Sequence, residues 1–119
     1  MLTDEYRYKL LQLLEANPQI SQRELAHALD ISLGKVNYCL NALIEKGLVK
    51  AHNFKNSKNK RAYTYYVTPR GFREKALVTV RFFRRKLAEY EALRSEIEQL
   101  RRDAAREQAR ARQTAGSTS

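Results

Sequence analysis

At 119 residues the chain is long enough for one modest core, and 23 Lys and Arg against 13 Asp and Glu leave a net charge of +10, which points to a polyanionic partner. No apolar run approaches the ~20 residues of a membrane-spanning helix. A single cysteine excludes an intrachain disulfide and gives no support for a metal site.

Met1 to Glu5 show neither the basic flank nor the apolar stretch of a signal peptide, so the chain is expected to be soluble and cytoplasmic. Thr3 with Asp4 and Glu5 reads as a helix start, a capping hydroxyl followed by acids near the positive end of the helix dipole. Tyr6, Leu10, Leu13 and Leu14 then recur at helical spacing until Asn17-Pro18 ends the run. Ile20 stands alone before Ser21-Gln22-Arg23-Glu24, a capping-box pattern. The helix it opens faces inward with Leu25, Ala26 and Leu29 and stops near Asp30. Ser32 is the N-cap of a third helix whose apolar stripe is Val36, Leu40, Leu43 and Ile44, with Gly47 closing it in a left-handed conformation. Cys39 falls on the inner side of this helix and reads as a small buried apolar residue. About two residues join the second and third helices, which forces a steep crossing of the helix-turn-helix kind.

From Leu48 the period changes. Leu48–Phe54 and Tyr63–Val67 are rich in β-branched and aromatic residues and read as a hairpin. Tyr63, Tyr65 and Val67 share one strand face and Thr64 and Tyr66 the other, and most of these tyrosines are expected to cover the core. Thr68-Pro69 then starts a further helix, Thr68 as N-cap and Pro69 at its first position. Charge is segregated along this order. Residues 1–50 hold six basic and six acidic side chains, residues 51–71 five basic and no acidic ones, and residues 72–119 twelve basic and seven acidic.

Helix, helix, short turn, helix, hairpin, helix is the order of a winged helix-turn-helix, a mainly α fold with a small β-hairpin, here over residues 3–70. The hairpin tip, Lys55, Asn56, Ser57, Lys58, Asn59, Lys60 and Arg61, becomes a wing able to lie along phosphates. Removing the apolar stripe from the third helix leaves Ser32, Gly34, Lys35, Asn37, Tyr38 and Asn41 facing outward. Lys35 suits guanine acceptors, Asn37 and Asn41 suit adenine, and Ser32 suits a phosphate at the helix N-terminus. Gly34 costs helix propensity, roughly 1 kcal/mol against Ala. Close approach of DNA or a tight crossing by the second helix would each account for it.

Nothing breaks helix from Gly71 to Thr114, and residues 71–112 are expected to form one long dimerisation helix of ~60 Å. Val80, Phe83, Leu87 and Tyr90, then Leu93, Ile97 and Leu100, make a heptad-like seam with a stammer between Tyr90 and Leu93. The same helix of a second chain is the simplest cover for it, giving a two-fold homodimer. Residues 113–119, QTAGSTS, read as a disordered end. His27 and His52 have no ligand or catalytic pattern beside them. No nucleophile motif, glycine-rich phosphate loop or carboxylate pair occurs, so the chain is not expected to be an enzyme or to carry a cofactor.

ISQRELAHALDISLGKVNYCLNALIEKGLVKAHNF followed by VTPRG resembles the MarR family of winged-helix bacterial regulators. EYRYKLLQLLE, SLGKVNYCLNALIEKGLVK and NFKNSKNK look more specifically like a small branch associated with exopolysaccharide gene clusters. The likeness covers roughly residues 4 to 105. It implies a homodimer bound to a palindromic operator in double-stranded DNA and repressing nearby genes, with Ser32 to Lys46 as recognition helix and Phe54 to Ala62 as wing. Members of that family typically carry further terminal helices that form the dimer interface and help shape an effector pocket. One long helix follows the wing here, and no small-molecule effector is assigned. The residues themselves also suit a protein-interaction adaptor recruiting a factor through the seam, or an architectural protein binding DNA without sequence preference.

Overall fold

The computed structural model of the chain describes residues 2–55 and 61–116, with 53–55, 61 and 62 described as backbone only. The elements run α1 (Asp4–Ala16), α2 (Gln22–Leu29), α3 (Leu33–Glu45), β1 (Val49–Lys55), β2 (Arg61–Val67) and α4 (Pro69–Gly116). This is a winged helix-turn-helix followed by one long helix.

Each of the first three helices begins on a hydroxyl cap. Thr3 Oγ1 accepts from the Tyr6 N–H at 3.2 Å, and Ser32 Oγ accepts from the Lys35 N–H at 3.1 Å. At Ser21 the box is reciprocal: its Oγ accepts from the Glu24 N–H, and Glu24 Oε1 accepts from the Ser21 N–H. The helix ends are equally local. Gly47, at φ 73°, donates to the Ile44 carbonyl while Leu48 donates to that of Leu43, the paired bonds of a Schellman motif. Asp30 closes α2 in the same way at φ 54°, with Asp30 bonded to His27 and Ile31 to Ala26. A non-glycine residue adopts this conformation at some cost, and Asp is among the side chains that tolerate it.

The core joins Leu10, Leu11 and Leu14 of α1, Ile20, Leu25 of α2, Val36, Cys39, Leu40 and Leu43 of α3, and Leu48, Val49 and Tyr65 at the hairpin. Leu11 is fully buried although the sequence pattern favoured Leu13, which is only partly buried. The sequence pattern had marked a narrower stripe on α1 than the one the fold buries. β1 and β2 pair antiparallel from Val49↔Val67 to Lys55↔Arg61. The Tyr65 N–H donates to the Pro18 carbonyl at 2.8 Å, fastening β2 to the α1–α2 turn. Burial along β2 does not alternate as expected: neighbouring Thr64 and Tyr65 are both buried, while Tyr63 and Tyr66 stay about half exposed. Tyr65 alone of these tyrosines belongs to the core; Tyr63 stacks beside it at 6.0 Å, and Tyr66 meets the edge of His52 at 5.5 Å.

Thr68 links α3 to α4. Its hydroxyl donates to the Gly47 carbonyl at 2.6 Å and accepts from the Gly71 N–H at 3.0 Å. Gly71 lies against β1, where an added Cβ would stand 2.1 Å from the Leu48 carbonyl oxygen. Two compact units result, Met1–Phe82 and Phe83–Ser119. Within the first, α4 is held to α1 by Arg7–Glu74 at 3.3 Å, Arg81–Asp4 at 3.0 Å, a Lys75–Glu15 pair, and Tyr8 stacked on Phe82 at 5.4 Å. Asp4 raises the Arg81 pKa, chiefly through their hydrogen bond. Among the described residues the second unit is helix alone, laced by Lys86–Glu89, Arg106–Asp103 and Arg110–Glu107 pairs one turn apart. α4 runs through Gln113 to Gly116, four residues into the stretch expected to be disordered, because those residues include no helix breaker before the glycine. There the Thr114 hydroxyl donates back to the Arg110 carbonyl. None of the described helices is long and apolar enough to cross a membrane.

Candidate nucleic-acid interface

Burying Val36, Cys39, Leu40 and Leu43 leaves α3 one outward face. Gly34, Asn37, Tyr38 and Asn41 are exposed on it and line a shallow depression with Ala42 and Glu45. Tyr38 is 55% exposed, so its ring has no core role. The first N–H groups of α3 lack intrahelical acceptors, as at every helix start, and that end also carries the positive pole of the dipole.

The amides are not loose on this face. Asn41 Nδ2 donates to Asn37 Oδ1 at 3.1 Å, Asn37 Nδ2 donates to Gln22 Oε1 at 3.4 Å, and Gln22 Nε2 donates to the Tyr65 hydroxyl at 3.2 Å. A polar string therefore runs from the base of the hairpin, across the start of α2, to the middle of α3. It fixes the side-chain direction of Asn37 and leaves the Asn41 carbonyl as the unused acceptor at its end. Gln22 had no signal in the sequence beyond its place inside a capping box; only the crossing of α2 over α3 brings it to Asn37.

Lys35 departs from the exposed position its spacing suggested. Its ammonium lies 4.5 Å over the Tyr6 ring and donates to the Tyr6 hydroxyl at 3.5 Å, so the side chain is half-buried towards α1. A cation held over a ring is attracted to its face and gives up part of its freedom. Tyr6, which the sequence pattern grouped with the apolar run of α1, is thus also part of this surface. Gly34 is also clarified: a Cβ built there meets nothing within 4 Å, which removes tight crossing by α2 as the reason for the glycine.

Of the wing residues, Lys55 and Arg61 are paired across the last described rung of the hairpin. Asn56, Ser57, Lys58, Asn59 and Lys60 lie outside the described residues. Cys39 is fully buried, and that burial pushes its thiol above the ordinary range. Among the described residues no three His, Cys, Asp or Glu side chains converge as metal ligands would.

Residues 3–50 match a family model described as winged helix-turn-helix DNA-binding. No curated protein matches the chain. Several solved structures share its fold. MarR of Staphylococcus aureus, in complex with salicylate and kanamycin, is 22% identical over 69% of this chain and 53% of its own, with a TM-score of 0.50. The PcaV transcriptional regulator of Streptomyces coelicolor is 20% identical over 83% of this chain and 76% of its own, with a TM-score of 0.57. A MepR–DNA complex from S. aureus is 16% identical over 71% of this chain and 58% of the MepR chain, with a TM-score of 0.55. The chain thus spans about half the length of the S. aureus MarR it matches.

Proposed function

We propose that this chain is a MarR-like transcriptional regulator that binds duplex DNA sequence-specifically as a homodimer. α3 enters the major groove, the hairpin tip with Lys55, Lys58, Lys60 and Arg61 follows the phosphate backbone, and two copies are joined through α4. The observation that carries this reading is the exposed Asn37–Asn41 amide pair, held in one direction by Gln22 on a helix that otherwise buries only apolar groups. Amides fixed before contact lose little freedom on meeting adenine edges, which is what base reading requires. A match to a winged helix-turn-helix DNA-binding family over residues 3–50 supports it, as does the shared fold of a protein solved on DNA. Repression from a palindromic operator, and polysaccharide genes as targets, extend the proposal along the MarR likeness.

The test is selection of bound duplexes from a random pool at two salt concentrations. An inverted repeat with half-sites ~34 Å or a multiple apart, still selected at the higher salt, is the expected result. Binding without an enriched motif that collapses as salt rises would overturn sequence reading and leave phosphate contact alone.

A further inference from the structure

The second unit presents a row of large apolar side chains that no described residue covers: Tyr90, Leu93, Ile97 and Leu100 are 45–59% exposed. Their spacing places Tyr90 and Ile97 at a positions of a heptad, Leu93 and Leu100 at d positions, and small Ala104 at the next a. β-branched Ile at a with Leu at d favours two strands in parallel coiled coils. In this frame the residues flanking the seam are Glu89 and Glu96 at g and Arg94 and Arg101 at e.

From these flanking charges we infer that residues 89–104 of α4 pair with the same segment of a second copy, parallel and in register. The inference rests on the homodimer reading above and adds to it the segment, the direction and the contacts. In a parallel pair each g residue faces the e residue five positions on in its partner. Glu89 then meets Arg94 of the other copy and Glu96 meets Arg101, each twice by symmetry. Lys86 and Glu91, five apart in the frame that precedes the stammer, repeat the relation. In an antiparallel pair g faces g and e faces e. Centred on the apolar layers, that arrangement sets Glu96 against Asp103 and Arg94 against Arg101, like charge on like. Of the flanking charges, Arg94, Glu96 and Arg101 enter no ion pair or side-chain hydrogen bond with other described residues, whereas Glu89 pairs with Lys86 one turn away, and Arg102, Asp103 and Arg106, beyond the flanks or at the end of the seam, are tied to neighbours on their own helix. Charge therefore chooses the direction that the apolar row alone leaves open.

Two full-length variants test it, Tyr90→Cys and Ala104→Cys, oxidised mildly beside the parent chain, whose buried Cys39 serves as control. The sites are 14 residues apart, so in any antiparallel register at least one cysteine lies ~21 Å or more from its own copy. Disulfide dimers from both variants are expected. A disulfide from only one, or from neither while light scattering still reports a dimer, would overturn the inference and leave the homodimer standing. A chain that stays monomeric by light scattering would overturn the homodimer reading as well. Charge reversal gives a second readout that does not need the seam disturbed. Glu96→Arg or Arg101→Glu alone should weaken self-association about tenfold, and the two together should restore it. Tighter association by either single variant is the signature of antiparallel pairing and would refute the parallel one.

Discussion

Gly34→Ala separates folding from recognition at one atom. Gly34 is the second residue of α3, and a methyl group there meets nothing within 4 Å, so the folded chain accepts it without strain. Replacing glycine by alanine in a helix stabilises by up to ~1 kcal/mol. For a domain of this size that is a rise in Tm of about 4–8 °C at most. If α3 enters the groove with its first turn against the sugar-phosphate backbone, the same methyl occupies space the DNA needs. Affinity for the selected operator should then fall about tenfold, the scale of ~1.4 kcal/mol of lost contact. Urea unfolding and fluorescence anisotropy on operator and random duplexes measure both sides on one preparation. Gained stability with unchanged operator affinity would show that no DNA backbone approaches Gly34, and the glycine would need another reason. Lost stability would contradict the open space found at that position.

Gly71→Ala should behave oppositely, because its Cβ would press 2.1 Å from the Leu48 carbonyl oxygen and 2.8 Å from Val67 Cγ1. A destabilisation of about 3 kcal/mol is expected, read as a lower urea midpoint at unchanged slope. Gln22→Leu removes the amide that holds Asn37, and should lower operator affinity while random-duplex affinity holds and stability changes by no more than ~1.5 kcal/mol; equal losses on both duplexes would deny the positioning role. Lys58→Ala with Lys60→Ala should weaken binding to every duplex and flatten its dependence on salt, which titrations at three ionic strengths would show. Burial raises the Cys39 thiol pKa, so the unfolded chain gives up that proton first. The stability this contributes is whole below the ordinary thiol value of about 8.5 and is lost as pH rises through the raised folded value. Cys39→Ala should flatten that alkaline slope in urea titrations.

What could be read from the sequence was whatever the chain encodes within a few residues. Thr3, Ser21 and Ser32 cap their helices through bonds spanning three residues, and Gly47 ends α3 through bonds of similar reach. Such signals need no knowledge of the fold. Features that depend on how helices cross were not visible. Leu11 is buried and Leu13 only partly so because three helices and the hairpin base enclose α1, an arc the spacing pattern does not specify. Lys35 lies over Tyr6, and Gln22 meets Asn37, across separations of 29 and 15 residues. On the candidate surface, residue types were therefore legible and side-chain directions were not. The outward face of α3 follows once its apolar stripe is removed, but the partner that aims each amide comes from another element.

That dependence has a consequence for how the two halves of the surface act. The Tyr65 hydroxyl sits on β2, four residues before α4 begins at Pro69 and four after Arg61, the wing residue that opens the same strand. Through Gln22 it orients Asn37 in the centre of α3. β2 is itself tied to the α1–α2 turn through the Tyr65 N–H. On the proposed reading, a phosphate contact that shifts the hairpin would pull on the strand whose tyrosine begins the polar string. A base contact that drew Asn37 outward would pull on the same string from its other end. Hydrogen bonds in series polarise and constrain one another, so the members respond as a set. On the proposed DNA-binding reading, hairpin and α3 would act as one surface, β2 setting through Tyr65 and Gln22 where the Asn37 amide points.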